Sequence, residues 1–316
     1  MTKAGLARRV GQMFYRCALE VAPAPLSLSI QFRRTQRRWP NLGHPMSFNE
    51  KLQWRKLHDR SEILPVIVDK VAVKAALAQD PATQDWLIPT WWTGARVSAE
   101  TLAKYAPPYV IKPNNTSGRI LINRDSDADL RALAGRANAM LATPHPRFLR
   151  EWPYGQVRPQ LLIEPFIGAD SKCPVDYKFY VFHGRVSFIQ VDTDRHSDHK
   201  RALYAPDWRR LPFQYKIAEQ TRALPPPTRL EGMVAFAERI ASRFNLDFIR
   251  VDLYQVGEHP YFGELTPFPS SGLAKFEPMS ADFEIGRLWR LPEARARGHG
   301  IGSEALSRQP RGASPP

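Results

Sequence analysis

The sequence predicts an α+β protein, and three observations carry that reading. Strand-like runs come in pairs joined by turns marked with Gly and Pro, which favours antiparallel hairpins over a doubly wound parallel sheet. Between the strands lie segments with apolar residues at helical spacing, such as Leu130, Leu133, Ala134, Ala137 and Leu141. The chain of 316 residues is long enough for one large domain or two intimate lobes, and it shows no internal repeat.

Ser47 and Glu50 have the spacing of a capping box, so a helix starts there and runs through Leu52, Trp54 and Leu57. A second helix starts near Asp69 and carries Lys70 and Lys74 toward Pro81. Residues 88–92 and 109–112 read as short strands, the latter ended by Pro113 and the small polar loop 114–118. Residues 161–167 form a buried strand with one charge, Glu164. The run 176–182 turns at His183-Gly184 into 185–191, a hairpin whose alternation puts Asp176, Lys178, Tyr180 and Phe182 on one face. A long amphipathic helix follows, with Thr228 as its cap and Glu231 three residues on, and a last short helix is expected around 283–291.

Composition limits the partners. The net charge is +14, and up to Arg60 twelve lysines and arginines stand against Glu20, Glu50 and Asp59 alone. Such a surface attracts anions: nucleotide phosphates, an anionic glycan or acidic lipid headgroups, with nucleic acid the least favoured. Cys17 and Cys173 make neither a disulfide framework nor a zinc site, which points to a reducing compartment. No apolar run reaches the ~18 residues of a membrane span. The expectation is a cytoplasmic protein whose basic N-terminal segment makes peripheral contact with lipids at the inner face of the membrane.

The most informative segment is 247–272, two strands joined by a turn over 257–260. Alternation puts Arg250 and Asp252 on one face, and Glu264 and Thr266 on one face of the partner. If pairing aligns those faces, two carboxylates stand side by side. At ~4 Å and an effective dielectric of about 20 they repel by roughly 4 kcal/mol. A cation or a shared proton relieves such a pair, and a hard divalent ion with oxygen ligands is one such cation. The plain alternative is two carboxylates on a solvated hairpin face. His196 and His199, with flanking aspartates, do not have the spacing of a zinc site; that loop more readily offers Arg195, Lys200 or Arg201 to an anion.

These residues, in this order, resemble the ATP-grasp superfamily, and within it the TupA-like family associated with bacterial surface-polysaccharide synthesis. The likeness runs from Phe48-Asn-Glu-Lys51 through Asp69-Lys70, Val110–Gly118, Glu164–Gly168 and Asp176–Gly184 to Arg250–Gly272, covering roughly residues 45–291. The resemblance implies two α+β lobes clamping ATP. The implied divisions are a basic helical extension over 1–45, a first lobe over 46–165, a second lobe with the metal site over 166–292, and a disordered tail over 293–316. It also implies that Lys70, Lys112, Asn115, Ser117 and Gly118 meet the phosphates. Glu164 and the Phe166 backbone would face adenine, and Asp176, with Lys178 on the same strand face, the ribose side. Asp252, Glu264 and Thr266 would hold Mg²⁺, with Arg250 near the γ-phosphate and Arg201 as a further anion-binding arginine. Lys74, one helical turn from Lys70, is the alternative first-lobe lysine.

The implied reaction is carboxylate activation by ATP followed by attack of an amine, on an anionic small molecule or a glycan precursor. The segment ahead of Ser47 is too short for the α/β domain that precedes the clamp in many such ligases. The usual acceptor surface is therefore expected to be reduced or supplied by a partner. The resemblance also adds polysaccharide enzymes as partners of the basic N-terminal segment at the membrane. Rival readings keep the pathway and change the chemistry: a sugar kinase, or a nucleotide-sugar glycosyltransferase. A basic scaffold that binds acidic glycan without catalysis is the fourth.

Overall fold

The computed structural model describes residues 3–116, 118–168, 173–193 and 199–292. Its α+β architecture rests on two antiparallel sheets, one of four strands and one of five.

The basic N-terminal segment forms helices α1, Lys3–Val21, and α2, Ala24–Gln36. Helix α3, Phe48–His58, starts at Ser47, and both reciprocal bonds of the capping box with Glu50 are made. Helix α4, Ile63–Val68, was not foreseen, because a continuous apolar run has no period to distinguish helix from strand. Helix α5, Lys70–Leu77, is capped by Asp69, whose carboxylate accepts the N–H groups of Val71 and Ala72. A single turn, α6 (Pro81–Gln84), leads to β1, Trp92–Gly94, later and shorter than the strand expected over 88–92. Then come α7 (Ala99–Leu102), β2 (Tyr109–Pro113), β3 (Leu121–Asn123), α8 (Leu130–Leu141) and β4 (Leu161–Pro165). Strands β1, β4, β2 and β3 lie side by side in that order. Leu133, Ala134 and Ala137 of α8 pack with Ile111, Leu161 and Ile163 of this sheet, as the helical spacing required.

The second half contributes β5 (Val175–Phe182), β6 (Arg185–Thr193), β7 (Lys200–Tyr204), β8 (Gln214–Tyr215), α9 (Leu230–Arg243), β9 (Phe248–Val256), β10 (His259–Thr266), β11 (Phe276–Glu277) and α10 (Ser280–Leu288). The five-stranded sheet has the order β10-β9-β5-β6-β7, while β8 and β11 form a small ribbon. The β9–β10 turn is tighter than expected. It ends at Glu258, with Gly257 at φ +58°, and His259 and Pro260 already belong to β10. Proline is tolerated there because β10 is an edge strand, where a missing N–H breaks no ladder bond. The Thr228 cap does not form. Helix α9 follows Arg229 without a side-chain cap, and the Thr228 hydroxyl accepts instead from Gln255 Nε2 at 2.9 Å.

The two faces of this sheet divide the work. Tyr177, Phe179, Val181, Ile189, Val191, Val251 and Leu253 point to the main core with Met233, Ala237 and Ile240 of α9. The opposite face changes character along the strands. At one end Tyr180, Phe182, Phe188 and Phe248 pack with Phe48 and Leu52 of α3 and Ile285 of α10. The other end of the same face is charged, and it carries the candidate site.

Candidate active site

Strand register builds the site. Glu264 pairs with Asp252, Asp252 with Lys178, and Lys178 with Gln190, which makes one polar row across β10, β9, β5 and β6. Two residues along, Thr266 pairs with Arg250 and Arg250 with Tyr180. On the other side of the row Asp176 pairs with Asp192 and Asp192 with Arg201. The expected alignment of Asp252 with Glu264 is therefore present.

It depends on a feature that the alternation argument overlooked. Phe262 and Glu264 are two residues apart and would share a face of a regular strand, yet Phe262 lies in the core opposite Leu253. The register shifts between Phe262 and Glu264, and this bulge at Gly263 turns Glu264 onto the charged face. A β-carbon at Gly263 would lie 2.8 Å from the Tyr254 ring and 3.0 Å from the Asp252 carbonyl oxygen, so the bulge requires glycine.

The carboxylates are neutralised by basic side chains. Arg250 grips Asp252 through two bonds of 2.7 Å and donates to Thr266 Oγ1 at 3.0 Å. Lys178 Nζ lies 2.9 Å from Asp252 Oδ2 and also donates to Asp176. Lys70 Nζ reaches Glu264 at 3.1 Å and the Thr116 carbonyl at 2.6 Å. Burial pushes the Glu264 carboxyl up, but Lys70, Arg250 and Lys178 outweigh it and hold the group at about 2. The same balance raises Arg250, where burial opposes the charge and Asp252 prevails.

A second cluster stands on the four-stranded sheet. Glu164 on β4 accepts Lys74 on one oxygen and Lys112 on the other, each at 2.6 Å. Lys112 and Glu164 are diagonal neighbours across β2 and β4, whereas Lys74 comes from α5. Burial raises the Glu164 carboxyl, yet the two lysines bring it below its ordinary value. Lys74, sharing a single carboxylate, is shifted down by burial despite Glu164. The first-lobe lysine assigned to Lys70 thus has a counterpart in Lys74. Lys70 serves Glu264, and Lys74 joins Lys112.

The remaining expected residues are placed as follows. Asn115 is buried in the loop after β2, Gly118 takes φ +75°, and Ser117 lies outside the described residues. The Phe166 N–H donates to the Pro108 carbonyl, and the Arg124 guanidinium covers the Phe166 ring. Arg201 donates to both oxygens of Asp192, at 2.6 and 3.0 Å, and to the Tyr215 carbonyl at 2.8 Å. That pairing holds Asp192 at about 2 against the upward push of burial. The sequence reading offered Arg201 to an exogenous anion; in the structure Nε and Nη2 bind Asp192 across β6 and β7, and Nη1 binds the β8 carbonyl. Its partner was legible in principle, since Asp192 and Arg201 face each other across β6 and β7. His199 Nε2 lies 3.5 Å from Asp192, while Arg195 and His196 fall outside the described residues.

Among the described residues no three His, Cys, Asp or Glu side chains gather as a metal cluster. Asp252, Glu264 and Thr266 nevertheless present only oxygen donors, with both carboxylates in register. That set suits magnesium, which commonly takes one or two carboxylates and completes its shell with water and phosphate oxygens.

With this geometry in place, the family follows from the match of the TupA-like ATP-grasp family model over residues 50–290. The chain belongs to the TupA-like ATP-grasp family. No curated protein matches it. Among solved structures it is similar to D-alanine–D-alanine ligase from Bacillus anthracis, at 17% identity and a TM-score of 0.38, with 66% of this chain and 59% of that one covered. For the L-amino acid ligase from Bacillus licheniformis the figures are 16%, 0.41, 65% and 44%. For the ATP-grasp ligase PsnB bound to a precursor variant, Mg and ADP they are 13%, 0.40, 69% and 57%. The chain thus spans well under two thirds of the length of these three proteins. A TupA-like ATP-grasp protein is what the family model establishes, and the distant structures add nothing to it.

Proposed function

We propose that this protein is an ATP-dependent carboxylate–amine ligase acting on a precursor of a bacterial surface polysaccharide, joining an amino acid and a uronic-acid-containing glycan through an amide. The observation that carries the reading is the cross-strand pair Asp252–Glu264, bracketed by Arg250, Lys178 and Lys70, together with Lys74 and Lys112 on Glu164. Such chemistry asks the protein for positioning and charge neutralisation rather than for a nucleophile–base pair.

In the proposed reaction a substrate carboxylate oxygen attacks the γ-phosphorus of ATP and ADP leaves. The amine nitrogen then attacks the acyl carbon, phosphate departs, and the ammonium proton passes to solvent or phosphate. Lys112 and Lys74 would neutralise the α- and β-phosphates, and Arg250 the transferred group. Asp252, Glu264 and Thr266 would hold magnesium, which would supply charge neutralisation for the triphosphate when bound. Lys70, bonded to both the Thr116 carbonyl and Glu264, would couple the polar loop to the metal side.

The test is turnover of Mg-ATP with candidate uronic acids and amino acids, followed by mass spectrometry. The reading expects ADP and free phosphate only when acid and amine are both present, with a product equal to their sum less water. Phosphate retained on the sugar would establish the kinase alternative, and absence of ADP release with every pair would refute both.

A further inference from the structure

Among the described residues nothing covers one apolar face of helix α1. Val10, Met13, Phe14, Cys17 and Val21 are all exposed, Phe14 at 67% and Val21 at 88%. At about 100° per residue these positions, with Ala18, occupy one arc of about 140°, and no charged residue of the segment 10–21 falls inside it. Leu19, the buried residue of that segment, projects opposite the arc's centre and attaches the helix to the body. The attachment is specific. Arg150 donates to the carbonyls of Leu19, Glu20 and Ala22 at 2.7–2.9 Å, satisfying the C-terminal end of α1.

Guanidinium groups stand outside the stripe on both flanks, with Glu20 at its edge on the Arg16 side. Arg16 lies on one side, over the Phe148 ring, and Arg34 of α2 covers Tyr15 on the other. Arg33, Arg34 and Arg37 are exposed at the end of α2, and Trp39 projects beside them, 61% exposed. Before residue 50 the sole acidic residue is Glu20.

We propose that α1 with the C-terminal end of α2 is a docking surface for an anionic phospholipid bilayer, lying in the plane of the headgroups. An exposed apolar stripe edged by arginines has the chemistry of an interfacial helix: the apolar side chains enter the acyl boundary while the guanidinium groups meet lipid phosphates. Trp39, exposed two residues beyond Arg37, has the amphipathic ring that favours the headgroup level. The charge excess selects acidic over zwitterionic lipid. None of this depends on the ligase reading, because no residue of the candidate site takes part.

The test is co-sedimentation of the full chain with phosphatidylcholine vesicles, with and without phosphatidylglycerol. Binding is expected to the phosphatidylglycerol vesicles and to weaken as salt is raised. Combined Met13→Asp and Phe14→Asp should lower the partition coefficient by about tenfold or more at unchanged Tm, since both side chains are exposed in the free protein. Combined Arg33→Glu, Arg34→Glu and Arg37→Glu should abolish the preference for phosphatidylglycerol. Wild-type protein left in the supernatant with both vesicle types would overturn the proposal, as would undiminished binding by the aspartate variant. Sedimentation velocity closes the alternative: a dimer dispersed by Phe14→Asp, without vesicle binding, would assign the face to a second copy and refute the lipid assignment.

Discussion

Lys70 and Glu264 form an ion pair of 3.1 Å that joins the first turn of α5 to the edge strand of the five-stranded sheet. Because Lys70 also holds the Thr116 carbonyl, one ammonium group links the small polar loop to the carboxylate opposite Asp252. The loop after β2 is thereby tied to the charged face of the five-stranded sheet.

The Gly263 bulge is what presents Glu264 on that surface. Gly263→Ala should destabilise the protein by about 1–3 kcal/mol, the usual cost of overpacking, because Tyr254 and the Asp252 carbonyl leave no space for a methyl. It should also weaken Mg-ATP binding more than Tyr254→Ala does. Denaturant unfolding and calorimetry check the two parts.

Glu164→Gln removes the carboxylate that Lys74 and Lys112 share. Breaking a buried ion pair from one side costs about 3–5 kcal/mol, and here two lysines lose their counter-ion. Urea unfolding at neutral pH should show the loss. A second change, Lys74→Met, should restore part of it by removing the like-charge repulsion.

Acid sensitivity follows from Glu264 and Asp192, each held at about 2 against ordinary values of 4.5 and 3.8. Both folded-state values are depressed, so their stabilisation is present above pH ~4.5 and is lost as pH falls toward about 2. Each shift corresponds to about 2–3 kcal/mol before solvent screening, which reduces the figure for the partly open Glu264. Tm should fall across this window, and Glu264→Gln should flatten the slope.

Lys56 gives the opposite limb. Burial lowers its ammonium to about 8, with Glu151 opposing, while the unfolded chain keeps the ordinary value of 10.5. Between those values the unfolded state binds more protons, so the Lys56 contribution to stability rises with pH, by about 2 kcal/mol from pH 8 to 10. Lys56→Met should remove that rise. Below pH ~8, where Lys56 is charged in the folded protein, the change also takes the ammonium donor from the Ser271 carbonyl and hydroxyl.

Much of the fold was legible because local signals agreed with the global arrangement. The Ser47–Glu50 capping box, the Asp69 cap and the Gly257 turn are short-range chemistry; the first two appear where the residues placed them, and the turn appears shortened to 257–258. The facing of Asp252 and Glu264 was legible too, though for an incomplete reason. Strict alternation cannot put both Phe262 in the core and Glu264 on the charged face, and a glycine inside a strand was the available sign of a bulge. What the sequence could not supply was pairing between distant elements. Lys70 and Lys74 lie one turn apart on α5, yet they serve carboxylates of different sheets. Thr228 looked like a cap because the Thr–Glu spacing is right, but Gln255, distant in sequence, engages its hydroxyl. The N-terminal segment was read as a basic helical extension, and the apolar stripe of α1 shows only once Leu19 identifies the buried side.

In the proposed function Asp252 and Glu264 would form the metal side of a nucleotide site whose phosphate side is Lys74 and Lys112. Isothermal titration of ATP in the presence and absence of magnesium, into wild type, Asp252→Asn and Lys112→Ala, tests it most directly. Magnesium-dependent binding by wild type, lowered about tenfold or more in both variants, is the expected result. Equal binding by all three proteins, or binding indifferent to magnesium, would contradict the account.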